Sequence, residues 1–175
     1  MKKVCFLLAV LLCSSSAVAQ SLTEKTGLNS VFGVAPATAD FLREAAISDQ
    51  FEIQSSQLAQ EEHTASLQGF ASRMITDHQA TSGQLQEMVQ NGDLQIDLPT
   101  ALDSSHQEML DRLRKLHGNN FVGRYRSDQI SAHESAISFF QRYADSEDNM
   151  KLKSWAVKTL PILKSHLEMA RALPQ

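Results

Sequence analysis

Apolar residues recur every three or four positions over four long stretches of the chain, and each stretch carries a polar residue on its apolar face. The clearest runs from Leu67 to Met88, where Phe70, Ala71, Met74, Ile75, His78, Leu85 and Met88 share one side of a helix. Asp77 and His78 stand in the middle of that stripe. A first stretch, Ala39 to Glu61, turns Phe41, Ala45, Ser48, Glu52, Ser55 and Ala59 inward, and the small residues leave room beside Glu52. A third, from Asn119 or Asn120 to Ala144, lines up Phe121, Val122, Tyr125, Gln129, His133, Ala136, Ile137 and Phe140. The fourth follows a turn at Asp145–Asp148 and runs to Leu173, with Leu152, Trp155, Ala156, Leu160, Leu163, His166, Leu167 and Ala170 inward. A polar group on a buried face must find partners, because leaving it bare costs several kcal/mol. The pattern therefore predicts helices packed around a polar centre.

The punctuation between stretches sets their order. Thr38 is placed to cap the first helix, with Asp40 in its first turn where a carboxylate suits the helix dipole. His63 to Ser66 is a short turn, which implies an antiparallel hairpin. Asn91-Gly92 ends the second helix. The 26 residues from Asp93 to Gly118 contain Pro99, a Ser105/Glu108 capping box and a short amphipathic helix with Met109, Leu110, Leu113 and Leu116, closed by His117 and Gly118. That is far more than a tight turn needs and enough to travel the length of a bundle. Pro161 lies inside the last helix and is expected to kink it just before His166. The expected fold is all-α: a ferritin-like four-helix bundle whose long crossover holds a short extra helix. With a rise of 1.5 Å per residue, Glu52, His78, His133 and His166 fall within roughly 8 Å of one height. No internal repeat or low-complexity tract is present.

The first residues read as a secretory signal. Lys2 and Lys3 precede the apolar run Val4 to Cys13, and Ala17-Val18-Ala19 is a small-x-small cleavage site. The run is shorter than the ~20 residues of a spanning helix. Leu12 before Cys13 is too large for a lipoprotein signal. Residues 1–19 are thus expected to leave as a signal peptide, 20–37 to form a flexible leader and 38–173 to form one bundle domain, periplasmic or secreted. Cys5 and Cys13 leave with the signal, which excludes disulfides, thiolate metal sites and cysteine nucleophiles from the mature chain. Loss of Lys2 and Lys3 takes the formal charge from −4 to −6, with 14 basic against 20 acidic residues. That balance argues against nucleic acid or an anionic membrane as the main partner. No later apolar run is long enough to span a bilayer, and barrel-type alternating strands are absent from the pattern.

One carboxylate and three imidazoles, one from each helix, form a candidate ligand set: Glu52, His78, His133 and His166. Imidazole and carboxylate suit a single divalent ion of zinc, iron or copper. Asp77, Tyr125 and Gln129 are placed to orient the imidazoles from behind. Metal handling or stress defence in the periplasm would follow. The alternative is a hydrogen-bond network that fixes helix packing and binds nothing, in a structural or interaction domain. Di-iron carboxylate bundles carry two Glu-x-x-His motifs, and this chain has none. A haem between two histidines has no Cys-x-x-Cys-His to support it. His63, His106 and His117 read as surface residues, and Met74, Met88 and Met109 as packing. Nothing resembles a phosphate-cradling loop or a serine triad, so no catalytic residue is assigned.

These residues together resemble a bacterial secreted family known as domain of unknown function 4142, often described as outer membrane proteins and grouped with ferritin-like bundles. The likeness rests on Glu52 through Leu58-Ala59, on Phe70-Ala71-x-x-Met74-Ile75-x-Asp77-His78, and on Gly118-x-x-Phe121. It continues with Tyr125-x-x-x-Gln129-x-x-x-His133 and ends on Ala156-x-x-x-Leu160-Pro161-x-x-x-x-His166-Leu167-x-x-Ala170. It covers roughly Ala37 to Leu173. It implies a ferritin-like fold and an exported location, and brings no activity with it.

Overall fold

The computed structural model describes residues 33–92, 94–146 and 148–174. The expected signal peptide, and the leader as far as residue 32, lie outside the described residues. Among those described there are five helices and no strand: α1 (Thr38–Glu61), α2 (Ala65–Gln90), α3 (Ser104–Leu113), α4 (Gly118–Ala144) and α5 (Met150–Arg171). None is long and apolar enough to cross a membrane. The four long helices fall where the apolar periodicity puts them. Gly92, at φ +75°, ends α2 in the left-handed conformation that glycine adopts without strain.

Two helix starts differ from the sequence expectation, one because its cap comes from a distant turn and one because a neighbouring residue takes the role. Thr38 is the first helical residue, not the cap; its Oγ1 meets the Tyr143 hydroxyl at 2.6 Å, and its N–H donates to Asp148 Oδ2 at 3.1 Å. The carboxylate that satisfies α1 thus comes from the turn before α5. The Ser105 capping box is likewise not formed: Asp103 caps α3 by accepting from the His106 N–H at 2.8 Å. Helix α3 ends at Leu113, so Leu116 lies in the link to α4. Asn149 caps α5 through the Leu152 N–H at 3.0 Å, and α5 continues through Pro161 to Arg171.

Contacts between the ends give the topology. The start of α1 meets the end of α4 through Thr38 and Tyr143, and its finish meets the start of α4, where the Gly118 N–H donates to Glu62 at 3.0 Å. These two helices are therefore antiparallel. Trp155 Nε1 donates to Gln84 at 2.7 Å, so the end of α2 faces the start of α5. Leu85 and Met88 of α2 pack with Phe139 and Phe140 of α4, so those two helices run the same way and the link between them must return the length of the bundle. Helix α3 rides on that return and packs on α1, with Gln50 donating to the Pro99 carbonyl at 2.7 Å.

The apolar interior is split in two. One cluster holds Phe41, Leu42, Leu85, Phe140, Tyr143, Leu152 and Trp155; there Phe41 stacks on Tyr143 at 4.0 Å. The other holds Leu67, Phe70, Met74, Leu113, Phe121, Tyr125 and Ala170. Between them lies a buried polar layer: Asp49, Glu52, Ser55, Ser56, His78, Thr81, Gln129, His133 and His166. An interior interrupted at mid-height by so many polar side chains is costly unless they are satisfied or have a use.

Candidate metal centre

Three histidines meet in that layer. His78 comes from α2, His133 from α4 and His166 from α5, and their ring centroids lie 5.4 to 5.8 Å apart. One nitrogen from each ring lies within 4.8 Å of one from each of the others. Each ring is held on one nitrogen. His78 Nδ1 is 2.8 Å from Asp49 Oδ1, His166 Nε2 is 2.8 Å from Asp77 Oδ2, and His133 Nδ1 is 2.8 Å from its own helix's Gln129 carbonyl. Carbonyls and carboxylates accept, so these contacts put a hydrogen on the held nitrogen, and whenever the ring is neutral the other nitrogen carries the lone pair. The other nitrogens, His78 Nε2, His133 Nε2 and His166 Nδ1, are buried and have no hydrogen-bond partner.

Glu52 lies beside the three rings and outside the group whose atoms come within 4.8 Å of one another. Its Oε1 is 3.9 Å from His133 Nδ1, and neither carboxylate oxygen has a hydrogen-bond partner. Of the three orienting residues expected from sequence, Asp77 holds His166 through its side chain and Gln129 holds His133 through its main chain. Tyr125 does neither: its hydroxyl pairs with Ser56 Oγ at 2.7 Å, on the side of the second apolar cluster. The holder that sequence reasoning missed is Asp49. It collects His78 Nδ1, the Thr81 hydroxyl at 2.9 Å and the Ser82 hydroxyl at 3.1 Å. Its signal was there, four residues after Ala45 and three before Glu52, on the same helix face.

The charges follow from burial and neighbours. Burial raises the Glu52 carboxyl above its ordinary value, and Asp49 adds to this, while His78, the Gln129 amide and His166 oppose it. Burial alone would lower His78; the hydrogen bond and charge of Asp49, with Glu52 and Asp77, more than offset it and leave the imidazole raised. Burial, and then the charge on His78, push His133 down to about 4 despite the Gln129 carbonyl. Burial likewise takes His166 down to about 4; the Asp77 hydrogen bond opposes it, and the charges on His78 and His133 add to it. Burial works to raise Asp77, but its bonds to His166 and Arg73 hold it below the usual carboxylate range. At neutral pH two of the three rings are thus neutral, with free lone pairs.

These shifts fix a pH dependence. The unfolded chain protonates His133 and His166 as pH falls through about 6.5, whereas the folded chain resists until about 4. Their contribution is complete above pH 6.5 and lost on acidification to 4, by roughly 3 kcal/mol each at most. The raised His78 titrates differently only above 6.5, and the raised Glu52 offsets part of the loss near its ordinary value. Asp128, raised by burial against its Arg124 partner, opposes in the same sense as Glu52. The two imidazoles set the sign because the unfolded chain protonates both from pH 6.5 downward. Urea denaturation of metal-free protein should show stability falling from pH 6.5 to 4.5, with a shallower fall in His133→Gln. A flat or rising profile would contradict these ionisation states.

A cavity of about 10 Å³ adjoins the centre, with Asp49, Asp77, His78, Thr81, Thr159 and His166 in its wall. It has room for about one water-sized sphere, and none for an organic substrate. The other histidines are elsewhere. His106 Nδ1 lies 2.8 Å from Asp103 and its ring sits beside Phe51; His117 is exposed, 2.7 Å from Glu62; His63 occupies the α1–α2 turn at φ 50°.

No curated protein and no solved structure matches this chain. Residues 23–173 match the family described as a domain of unknown function, DUF4142, and the chain belongs to that family.

Proposed function

We propose that this protein binds a single divalent transition-metal ion, of the zinc, iron or copper class, in the interior of an exported helical bundle. His78 Nε2, His133 Nε2 and His166 Nδ1 supply the bonds, and Glu52 provides a carboxylate beside them for charge balance or a fourth bond. One observation carries the reading: three buried rings meet with a nitrogen of each within 4.8 Å of the others, and each ring has one nitrogen held and one without a partner. A held imidazole with its other nitrogen free is how proteins orient histidine toward a metal. An ion about 2.0–2.1 Å from each nitrogen would draw them to roughly 3.5 Å apart, a side-chain adjustment of about an ångström. A network that only fixes packing needs its polar atoms saturated. Here the carboxylate oxygens of Glu52 and three ring nitrogens are not.

The ligand chemistry is nitrogen-rich and free of thiolate, and the adjoining cavity admits little more than water. That favours holding, buffering or passing on an ion over transforming an organic substrate. The exported location rests on the basic, apolar and small-x-small order of the first residues. Elemental analysis of protein purified from the periplasm tests both parts. About one equivalent of one metal per chain and a mature N-terminus at Gln20 are expected. Protein recovered without metal, whose melting temperature ignores both chelator and added zinc, would contradict the binding.

A further inference from the structure

The three rings are not held equally firmly. His133 is held by a carbonyl of its own helix four residues back, and His78 by a buried Asp49 that also receives Thr81 and Ser82. His166 depends on Asp77, whose side chain is 19 % exposed. The same oxygen, Asp77 Oδ2, also receives Nε of Arg73, a surface residue one turn earlier on α2 with a side chain 58 % exposed. On this side the small cavity lies against His78 and His166, and its wall includes the exposed Ile162. Helix α5 is also weakened here. Pro161 has no N–H to give the Val157 carbonyl, and it stands little more than one turn before His166. A helix lacking one ladder bond bends at that point more readily.

We propose that Arg73, Asp77 and His166 form the gate by which a hydrated divalent cation reaches and leaves the centre, a proposal that rests on the metal-binding reading above. The Asp77 carboxylate is the first anionic group an approaching cation meets on this side. Arg73 occupies the oxygen the cation would use, so guanidinium and cation exclude each other there. Once Asp77 turns to the cation, His166 loses its holder and swings at the Pro161 soft point, opening the way to His133 and His78. His166 then closes behind the ion as the third ligand. Arg73 and Asp77 are positioning residues, and they act on exchange rates through His166.

Cobalt(II), whose visible absorption reports bound ion, serves as the probe in stopped-flow uptake and chelator-driven release. Arg73→Ala should speed both about tenfold, the effect of one charge-assisted hydrogen bond of ordinary strength, and leave the cobalt Kd within about threefold because neither ligands nor their holders change. Pro161→Ala, which restores the ladder bond at an exposed helix position, should slow both. Cobalt binding of wild-type affinity with both rates unchanged in both variants would overturn the gate and leave the metal reading standing. No cobalt uptake by the unsubstituted protein would overturn both.

Discussion

His133→Ala should lower zinc affinity by roughly a hundred- to a thousandfold, since a four-ligand structural site delivers about 10–16 kcal/mol and each bond carries a comparable share, about 2.5–4 kcal/mol. His133 is the ring to remove first. It is 1 % exposed, it is held by main chain, and its depressed ionisation leaves Nε2 with a lone pair at neutral pH. His78→Ala should behave alike, and its effect should not add to that of His133→Ala, because the two residues serve one ion. Isothermal titration with zinc, beside circular dichroism of each metal-free variant, separates lost ligation from lost folding. A variant that folds and binds zinc as the wild type does would remove that histidine from the site.

Asp49→Ala should destabilise the metal-free protein by about 3–5 kcal/mol, as removal of one partner from a buried ionic group does. The reason lies in what it leaves behind. His78 Nδ1 and the Thr81 and Ser82 hydroxyls converge on this one carboxylate, itself only 6 % exposed, and its loss strips the ring and both hydroxyls of this acceptor. For a domain of this size the melting temperature should fall by roughly 10 °C. Glu52→Gln is the contrast: a carboxyl whose neutral form burial already favours loses little on becoming a neutral amide of the same shape, about 1 kcal/mol or less. Urea denaturation at pH 7 checks the pair. Equal costs for the two substitutions would mean that Asp49 does not anchor the layer.

The contrast between these two acids shows what the sequence could convey. Glu52, His78, His133 and His166 were legible because each stands alone on an otherwise apolar or small-residue face, and that mismatch needs no knowledge of neighbours. Asp49 shares a face with Ala45 and Glu52, but it stands beside Gln50 at the edge of that stripe, where an acid suits the surface as well as the interior. What buries it is Thr81 and His78, 32 and 29 residues away. The same holds for the caps. Thr38 looks like a local cap, but the carboxylate that satisfies α1 is Asp148, 110 residues on, and no local rule places it. For α3, Asp103, an equally recognisable cap two residues before Ser105, takes the role expected of the Ser105 box. Tyr125 was correctly placed inward, but periodicity gives a direction and not the depth at which a hydroxyl ends. It met Ser56 instead of an imidazole. Helix positions and the hairpin–crossover–hairpin order were readable because apolar spacing and loop length are local properties of the chain.

Zinc-edge X-ray absorption on protein loaded with one equivalent of zinc tests the convergence of the three rings most directly. Three imidazole nitrogens at about 2.0–2.1 Å, with at most one further light ligand from Glu52 or water, are the expected shell. A shell of oxygen alone, or zinc lost completely on dialysis against metal-free buffer, would contradict it.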